Sequence, residues 1–378
     1  MHRRTFIAAT LTTWAIAIAI ASGQAAQDPK PVMAEDVFKN VQVLRGIPAD
    51  QFMGTMGFFS AATGLNCTDC HVDESGGNWA KYADDNALKQ MARKMVTMVT
   101  TINKTNFGGR QVVTCNTCHR GTRRPNVMPS LVTLYGTPPP EEPGEPFGQA
   151  PGQPRADEIL DKYLAAIGGA QRAASLTSLS AKGSYMGYDD ADKSVVELAA
   201  KSSGQRMTVV HTLSGDSITT YDGRAAWIAA PETEKPVPLL PLTGQEVDGI
   251  KLETELLFPA RIKQALANWR VGVPTSIDDR EVRLVQGTTA RGAVATLCFD
   301  AESGLLVRLV RYSDSPVGRI LSQTDYSDYR DVSGVKVPFR WTVTWLGGRS
   351  HYEWTEMHAN VAIDAAKFAQ PSSSWRPR

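Results

Sequence analysis

Residues 67–71, Cys67-Thr68-Asp69-Cys70-His71, and residues 115–119, Cys115-Asn116-Thr117-Cys118-His119, repeat one pattern, Cys-x-x-Cys-His. This pattern is the attachment signature of covalent c-type haem. Two thiols one helical turn apart can each bond to one vinyl group of the same porphyrin, and the adjacent histidine then offers a ring nitrogen to the iron. The sequence therefore predicts two covalently attached haems c. The thioether cysteines and axial histidines are Cys67, Cys70, Cys115, Cys118, His71 and His119.

Two other uses of Cys-x-x-Cys pairs explain this sequence less well. A redox-active dithiol of the thioredoxin type lies at a strand-turn-helix junction, and no such pattern surrounds either pair. A four-cysteine zinc site leaves the two trailing histidines without a role. Haem attachment is the interpretation that uses every residue of both motifs.

The ligand on the other face of each iron separates electron carriers from oxygen-reactive haems. Outside the motifs, histidine is found only at His2 and in the second half of the chain, whereas the region before residue 136 is rich in methionine. A thioether is soft and uncharged, and it raises the reduction potential. Methionines at helical spacing also fill core gaps, so several of them are expected to do only that. We predict Met56 and Met95 as axial ligands, with Met53 and Met98 as substitutes one turn away.

The N-terminus is typical of an export signal. His2, Arg3 and Arg4 precede an uncharged, mostly apolar stretch at residues 6–21, and small residues follow. We expect cleavage near Ala25 and delivery to the periplasm. The alternative is an uncleaved anchor, because the apolar stretch nearly reaches the length that spans a membrane.

A change in composition divides the rest of the chain. Prolines and glycines crowd residues 137–155, which predicts an extended linker. Helical periodicity comes before this segment, and alternating or β-branched strand-like runs come after it. We therefore predict a multidomain α plus β protein. Its parts are a signal peptide (1–25), a mostly helical dihaem c-type cytochrome domain (26–136), the Pro-rich linker (137–155) and an antiparallel β-sheet domain with a few helices (156–378).

Several individual elements can be predicted from local patterns. Helices are expected at 52–62, ended near Gly64, at 156–167 and at 245–268. A further helix, capped by Asp84 or Asp85, should bury an apolar stripe. The stripe consists of Leu88, Met91, Met95, Met98 and Ile102. The predicted strands are 194–210, 217–230, 282–286, 293–299, 305–311 and 335–345, and Cys298 is expected to be a buried structural thiol.

Two stretches before the linker resemble the cytochrome c subunit of photosynthetic reaction centres. They are MGFFSAATGLNCTDCHV (56–72) and ARKMVTMVTTINKTNFGGRQVVTCNTCHRG (92–121). The resemblance covers about residues 32–135 and implies axial methionines at Met56 and Met95, each on a helix before its Cys-x-x-Cys-His motif. The best-known members carry four haems and use one distal histidine, whereas this chain has two motifs and no histidine between Met95 and Cys115. The resemblance therefore implies one two-haem module.

Charge is distributed unevenly around the predicted haem sites. Acidic residues cluster near the first motif, and residues 86–140 hold eight lysines and arginines without any acidic residue. We expect the basic side to attract an acidic redox partner. Arg120 either pairs with a haem propionate or is solvated at the surface. The whole-chain charge of +1 excludes strong steering toward nucleic acid.

The stretches DYSDYRDVSGVKVPFRWTVTW (325–345) and NVAIDAAKFAQP (360–371) resemble the periplasmic lipoprotein-carrier family. This resemblance covers residues 156–370 and implies a curved antiparallel sheet, closed on one side by helices around an apolar cavity. Such a domain either binds an apolar small ligand or serves as a docking scaffold for a partner.

Taken together, these patterns predict an electron carrier and not an enzyme. The first resemblance implies a role like that of the subunit that re-reduces the photo-oxidised donor. The expected partner is a membrane-bound reaction centre or, in a host without photosynthesis, a respiratory complex. Two alternatives stay open: a dihaem peroxidase-type enzyme with one open haem face, and a haem-based sensor or binding protein.

Overall fold

The computed structural model describes residues 30–136, 146–188, 190–231 and 237–372. The predicted signal peptide lies outside these ranges, as do residues 137–145 of the predicted linker. The predicted fold class is confirmed, since a helical N-terminal region precedes a large antiparallel sheet with some helices. No helix in the described ranges is both long and apolar enough to cross a membrane.

The region before the linker is built from short and medium helices. The α-helices are α1 (Ala34–Val37), α2 (Ala49–Thr63), α3 (Cys67–Cys70), α4 (Ala87–Asn106), α5 (Cys115–His119) and α6 (Leu131–Tyr135). Two 3-10 helices, Asp73–Gly77 and Trp79–Ala83, lie between α3 and α4. The predicted helix at 52–62 corresponds to α2, which ends at Gly64 with φ +68°. A glycine is favoured there because side chains rarely adopt this left-handed conformation.

Helix α4 differs from its prediction in both its cap and its buried face. Asn86, and neither Asp84 nor Asp85, caps it, and the Asn86 Oδ1 accepts a hydrogen bond from Lys89 N at 2.8 Å. The residues α4 buries are Val96, Val99 and Asn103. The predicted apolar stripe lies on a neighbouring face of this helix. Two residues of this stripe are exposed to solvent, Met91 by 50% and Met98 by 42%.

The second part of the described chain forms one antiparallel sheet, and helices from two segments of the chain, residues 156–174 and 244–265, pack against it. The strand order is β6-β5-β4-β3-β2-β1-β14-β13-β12-β11-β10-β9-β7, and β8 pairs with β9. The strands are β1 (Ser178–Met186), β2 (Ser194–Lys201), β3 (Gln205–Thr212), β4 (Gly215–Tyr221), β5 (Ala226–Ala229), β6 (Leu239–Pro241), β7 (Ala267–Val271), β8 (Thr275–Ile277), β9 (Arg280–Thr288), β10 (Val294–Asp300), β11 (Leu306–Ser315), β12 (Gly318–Val332), β13 (Val335–Trp345) and β14 (Gly348–Ala359).

Helices cover part of this sheet and bury its main core. They are α7 (Ala156–Ala166), α8 (Ala170–Ala174), α9 (Gly244–Leu256) and α10 (Ile262–Ala265). The continuous helix predicted at 245–268 is wrong, because α9 ends at Leu256 and Pro259 opens a 3-10 helix, Pro259–Arg261. Proline has no N–H to continue the helix, and it also disfavours helical geometry at the residue before it.

Two predicted strands proved to be strand pairs. The run at 194–210 is divided into β2 and β3, and the run at 217–230 into β4 and β5. The prediction at 335–345 coincides with β13. Cys298 lies in β10 and is 1% exposed, as expected of a structural thiol, and burial raises its pKa to about 12.

The described part of the predicted linker is bound to the sheet. Ala150 N donates to Val271 O at 2.8 Å, and Val271 N donates to Gln149 Oε1 at 2.9 Å. Phe147 N donates to Gln286 Oε1 at 3.1 Å. These bonds fix residues 147–150 beside β7, so the last residues of the segment follow the edge of the sheet before α7 begins.

Candidate haem sites

The first Cys-x-x-Cys-His motif lies on a single capped turn of helix. Asn66 Oδ1 accepts from Asp69 N at 2.9 Å, and Asp69 Oδ2 accepts from Asn66 N at 2.8 Å. This reciprocal capping box fixes α3 and places its two thiols one turn apart. Cys67 is exposed and Cys70 is partly buried, and all five cysteines of the chain are free thiols.

His71 has a hydrogen-bond contact and a ring contact that fix its orientation. Its Nδ1 lies 3.1 Å from the carbonyl oxygen of Tyr82, and the two rings pack with centroids 4.6 Å apart. Burial, helped by the positive charge of Lys89, lowers the pKa of His71. A neutral imidazole that donates from Nδ1 keeps the lone pair of Nε2 free for iron.

The second motif repeats this arrangement with different neighbours. Thr114 N donates to Thr117 Oγ1 at 3.0 Å at the start of α5, and the His119 Nδ1 lies 3.0 Å from Thr122 O. Cys115 is buried, which raises its pKa, while Cys118 is exposed. The Nδ1 of each motif histidine therefore lies within hydrogen-bonding distance of a backbone carbonyl, one distant in sequence and one local.

The two motifs lie close to each other. Gly121, just after the second motif, donates its N–H to Ala62 O near the end of α2 at 2.9 Å. A Cβ added at Gly64 would lie 2.3 Å from Gly121 O, so only glycine permits this approach. The charge of Arg123 also acts on the Cys70 thiol, opposing the increase in pKa that burial causes there. One turn thus connects the second motif to the segment that precedes the first.

Met56 lies on α2 and Met95 on α4, and both side chains are partly buried. Met56 is partly buried on α2 and packs against an apolar cluster, which we call the haem-domain core. Its buried members are Leu44, Phe58, Ala62, Val96, Cys115 and Val317. Met95 is partly buried on α4, next to Val96 in sequence. The two alternative ligands, Met53 and Met98, are 37% and 42% exposed, so neither of them fills a core.

Polar side chains at the two ends of α4 bond to the first motif and to segments next to both motifs, and sequence patterns alone did not identify them. Asn86 Nδ2 donates to Cys70 O at 2.9 Å, and Lys89 Nζ donates to Tyr82 O at 2.7 Å. Near the other end, Asn103 Nδ2 donates to Val113 O at 2.7 Å, and its Oδ1 accepts from Val113 N at 2.9 Å. The signal in the sequence was polar residues on the inner side of an amphipathic helix, a position that requires hydrogen-bond partners.

The donors present fit haem c. Each motif supplies two free thiols and one imidazole whose Nδ1 lies within hydrogen-bonding distance of a carbonyl, and methionines are available on α2 and α4. Large apolar side chains are exposed in the same region, as an apolar macrocycle requires of its surroundings. They are Met53, Trp79, Met91, Met98, Val112, Val127, Met128, Leu131, Val132, Leu134 and Tyr135. Within the described ranges, no cluster of three or more His, Cys, Asp or Glu residues is arranged to hold a metal ion by itself.

The charges around the motifs are only partly available to a partner. Asp85 pairs with Arg93 at 2.8 Å, and Asp84 pairs with Lys81 at 3.0 Å. Five basic side chains between the last turn of α4 and the segment after the second motif are exposed, and Arg120 itself ends α5 with φ +50°. We call the exposed set the basic patch. It consists of Lys104, Arg110, Arg120, Arg123 and Arg124.

The sheet domain has a cleft between α9 and the strands. Its lining is mostly apolar and aromatic, and it includes Tyr326 and Trp341. Arg206 and Glu253 form a salt bridge of 3.1 Å within it, and the Arg206 guanidinium lies 5.9 Å from the Trp341 ring centroid.

Comparison with known proteins supports the first resemblance. Residues 8–144 match the family model of the photosynthetic reaction centre cytochrome C subunit. The photosynthetic reaction center cytochrome c subunit of Roseobacter denitrificans is 30% identical over 145 residues, which cover 35% of this chain and 38% of the relative. The subunit of the same name from Thermochromatium tepidum is 35% identical over 106 residues, covering 26% and 24%. The chain thus spans well under half the length of these relatives.

Solved structures similar to this chain have names that agree with the second resemblance. A LolA superfamily protein from Nitrosomonas europaea covers 57% of this chain and 98% of its own, with 16% identity and a TM-score of 0.38. A putative outer membrane lipoprotein-sorting protein domain from Vibrio parahaemolyticus covers 56% and 94%, with 9% identity and a TM-score of 0.39. Scores this low support no functional argument.

Proposed function

We propose that this chain is an electron carrier with two covalent haems c, one attached at Cys67 and Cys70 and one at Cys115 and Cys118. The observation that carries the proposal is the repeated histidine geometry, with Nδ1 3.1 and 3.0 Å from a backbone carbonyl beside two free thiols. The similarity of residues 8–144 to reaction-centre cytochrome subunits supports an electron-transfer role over an enzymatic one.

In this proposal the protein supplies attachment, orientation and the electrostatic environment. When bound, each haem supplies a one-electron iron couple. The cysteines would attach the porphyrin covalently, and His71 and His119 would offer Nε2 to the iron, because their Nδ1 atoms donate to carbonyls. Met56 and Met95 would supply thioether ligands, which would exclude other ligands and favour the reduced state. A closed pair of axial ligands suits electron transfer rather than reaction with oxygen or peroxide.

We also infer the cellular setting from the sequence. The features of residues 1–25 favour export to the periplasm, which is where c-type haem is generally attached in bacteria. The partner would be a membrane-bound reaction centre or respiratory complex, because the module resembles a subunit of such an assembly. The sheet domain would serve for docking, or its cleft would bind an apolar small ligand.

The proposal is tested by redox titration of the full chain purified from the periplasm. The pyridine haemochrome spectrum should give two haems c per chain, and the intact mass should correspond to cleavage near Ala25. Met56→Leu and Met95→Leu should each lower one reduction potential and leave the other nearly unchanged, since each removes one thioether ligand. Met128→Leu is the control, because Met128 is 77% exposed and is not a predicted ligand.

Three results would contradict the assignment. If a methionine variant leaves both potentials unchanged, that residue is not an axial ligand, and Met53→Leu or Met98→Leu should then show the effect. A high-spin ferric signal from one haem of the unaltered protein would favour the peroxidase-type alternative. Carbon monoxide binding by the reduced protein at neutral pH would favour a sensor.

A further inference from the structure

One side chain of the sheet domain is buried in the haem-domain core. Val317 is 2% exposed, and it belongs to the cluster that contains Phe58, Val96 and Cys115. The main core of the sheet domain is a separate cluster, which does not include Val317. A residue from the tip between β11 and β12 therefore belongs to the same apolar cluster as Cys115 of the second motif.

This tip has a defined shape before it meets the helices. Ser315 Oγ donates to Gly318 O at 2.6 Å and accepts from Val317 N at 3.3 Å. Ser315 and Gly318 are also the last paired residues of the two strands. The ring of Phe58 lies over Gly318 so closely that an added Cβ would come within 2.3 Å of it. The absence of a side chain at position 318 is what allows α2 to approach the tip.

Hydrogen bonds attach the tip to both elements that lead into the haem motifs. Gln51 Nε2, on α2, donates to Asp314 O at 2.8 Å. Gln111 Nε2, in the segment before Cys115, donates to Ser315 O at 2.9 Å. These contacts bring the tip to the helix that carries Met56 and to the segment that carries Cys115. The tip is therefore held in one position relative to both.

Two further contacts widen the interface. Asp50, at the start of α2, accepts hydrogen bonds from Thr243 N at 2.6 Å and from Thr243 Oγ1 at 3.0 Å. Burial raises the pKa of Asp50, and the Thr243 donors oppose this effect. Leu346, in the turn between β13 and β14, packs against the haem-domain core as a partly buried side chain. The sheet domain thus meets α2 at three separate points.

We propose that the β11–β12 tip of the sheet domain is part of the second haem site, and that Val317 raises the potential of the haem attached at Cys115 by excluding water from it. This inference rests on the proposed function. The reduction potential of a haem depends on burial and on the polarity around it, and an apolar neighbour disfavours the oxidised state, which carries the extra positive charge. Val317 is a positioning and shielding residue; it binds no iron.

The test replaces Val317 by threonine, which keeps the shape and adds a hydroxyl group. Val317→Thr should lower one of the two potentials, the one that Met95→Leu also lowers, and leave the other unchanged. Val195→Thr is the control, because Val195 lies on β2 of the same sheet and is 55% exposed. Hydrogen exchange at residues 113–117 should become faster in Val317→Thr and stay unchanged in Val195→Thr.

The outcomes separate this inference from the proposed function. If Met95→Leu shifts a potential and a folded Val317→Thr shifts none, the inference is wrong and the electron-carrier proposal stands. If the chain carries no haem c, both fall. Should Val317→Thr fail to fold, Leu346→Gln decides, since Leu346 is only partly buried; it should give a smaller downward shift of the same potential, and an unchanged potential overturns the inference.

Discussion

The Nδ1 of His71 lies 3.1 Å from the carbonyl oxygen of Tyr82, which is 11 residues further along the chain. The His119 Nδ1 makes its corresponding contact with Thr122 O, only three residues away, at 3.0 Å. The first contact depends on the 3-10 segment Trp79–Ala83, which is itself fixed by Lys89 of α4. The two motifs therefore differ in what supports the histidine, and a change in α4 can alter one contact without the other.

Lys89→Met is expected to lower the reduction potential of the haem held by His71. Lys89 Nζ donates to Tyr82 O at 2.7 Å and to Ala83 O at 2.9 Å, and only 15% of its side chain is exposed. Its removal deletes a nearby positive charge and leaves Tyr82 O as a stronger acceptor for His71, and both effects stabilise oxidised iron. The loss of these charged hydrogen bonds should also reduce the free energy of unfolding by about 2 kcal/mol.

Redox titration and urea unfolding measure these two effects. Lys94→Met is the matched control, because Lys94 is exposed on the same helix, and it should change the stability by less than about 0.5 kcal/mol. A shift in the potential of the other haem, or an upward shift, would show that Lys89 does not act through the His71 contact.

Local patterns predicted the elements that local forces decide. The two motifs, the end of α2 at Gly64 and the strand Val335–Trp345 all follow from short-range rules of thiol spacing, left-handed backbone and alternation. The end of α9 before Pro259 could also have been predicted from the sequence, because proline ends or kinks a helix. The continuous helix predicted at 245–268 did not take this effect of Pro259 into account.

What local patterns could not provide is the contact between distant segments. The methionine stripe of α4 has a helical period, yet the core forms on the face of Val96 and Val99, since that is where α2 and α5 pack. Val317 looks like an ordinary turn residue in the sequence, but it is buried in the apolar cluster that also contains Cys115, because the tip packs against α2. A long-range approach of this kind leaves no periodic trace in the sequence.

Gly64→Ala is expected to destabilise the protein more than Gly108→Ala. Both glycines have left-handed backbones, with φ +68° and +62°, so both substitutions incur a strain of about 1 to 2 kcal/mol. A Cβ at position 64 would also lie 2.3 Å from Gly121 O, whereas nothing lies within 4 Å of one at position 108. The added clash should bring the cost of Gly64→Ala to about 3 kcal/mol or more.

Urea unfolding of the two variants isolates the contribution of this close approach, because the backbone strain is common to both. The difference between them reports how tightly the turn after the second motif is held against α2. Equal losses of stability would mean that the turn moves away at little cost and does not connect the two motifs.

The basic patch should make electron transfer sensitive to both salt and the charge of the reactant. Arg120, Arg123 and Arg124 follow His119 closely, and all three are exposed. Oxidation of the reduced protein by ferricyanide, an anion, should slow as ionic strength rises, while oxidation by a cobalt tris-phenanthroline cation should become faster, because salt screens attraction and repulsion alike.

The double change Arg123→Glu and Arg124→Glu should slow the ferricyanide reaction by about tenfold at low salt. Arg280→Glu, an equal charge change per residue at an exposed position at the start of β9, is the control and should leave both rates nearly unchanged. Rates that are insensitive to ionic strength with both oxidants would mean that the patch does not lie on the route by which electrons leave the haems.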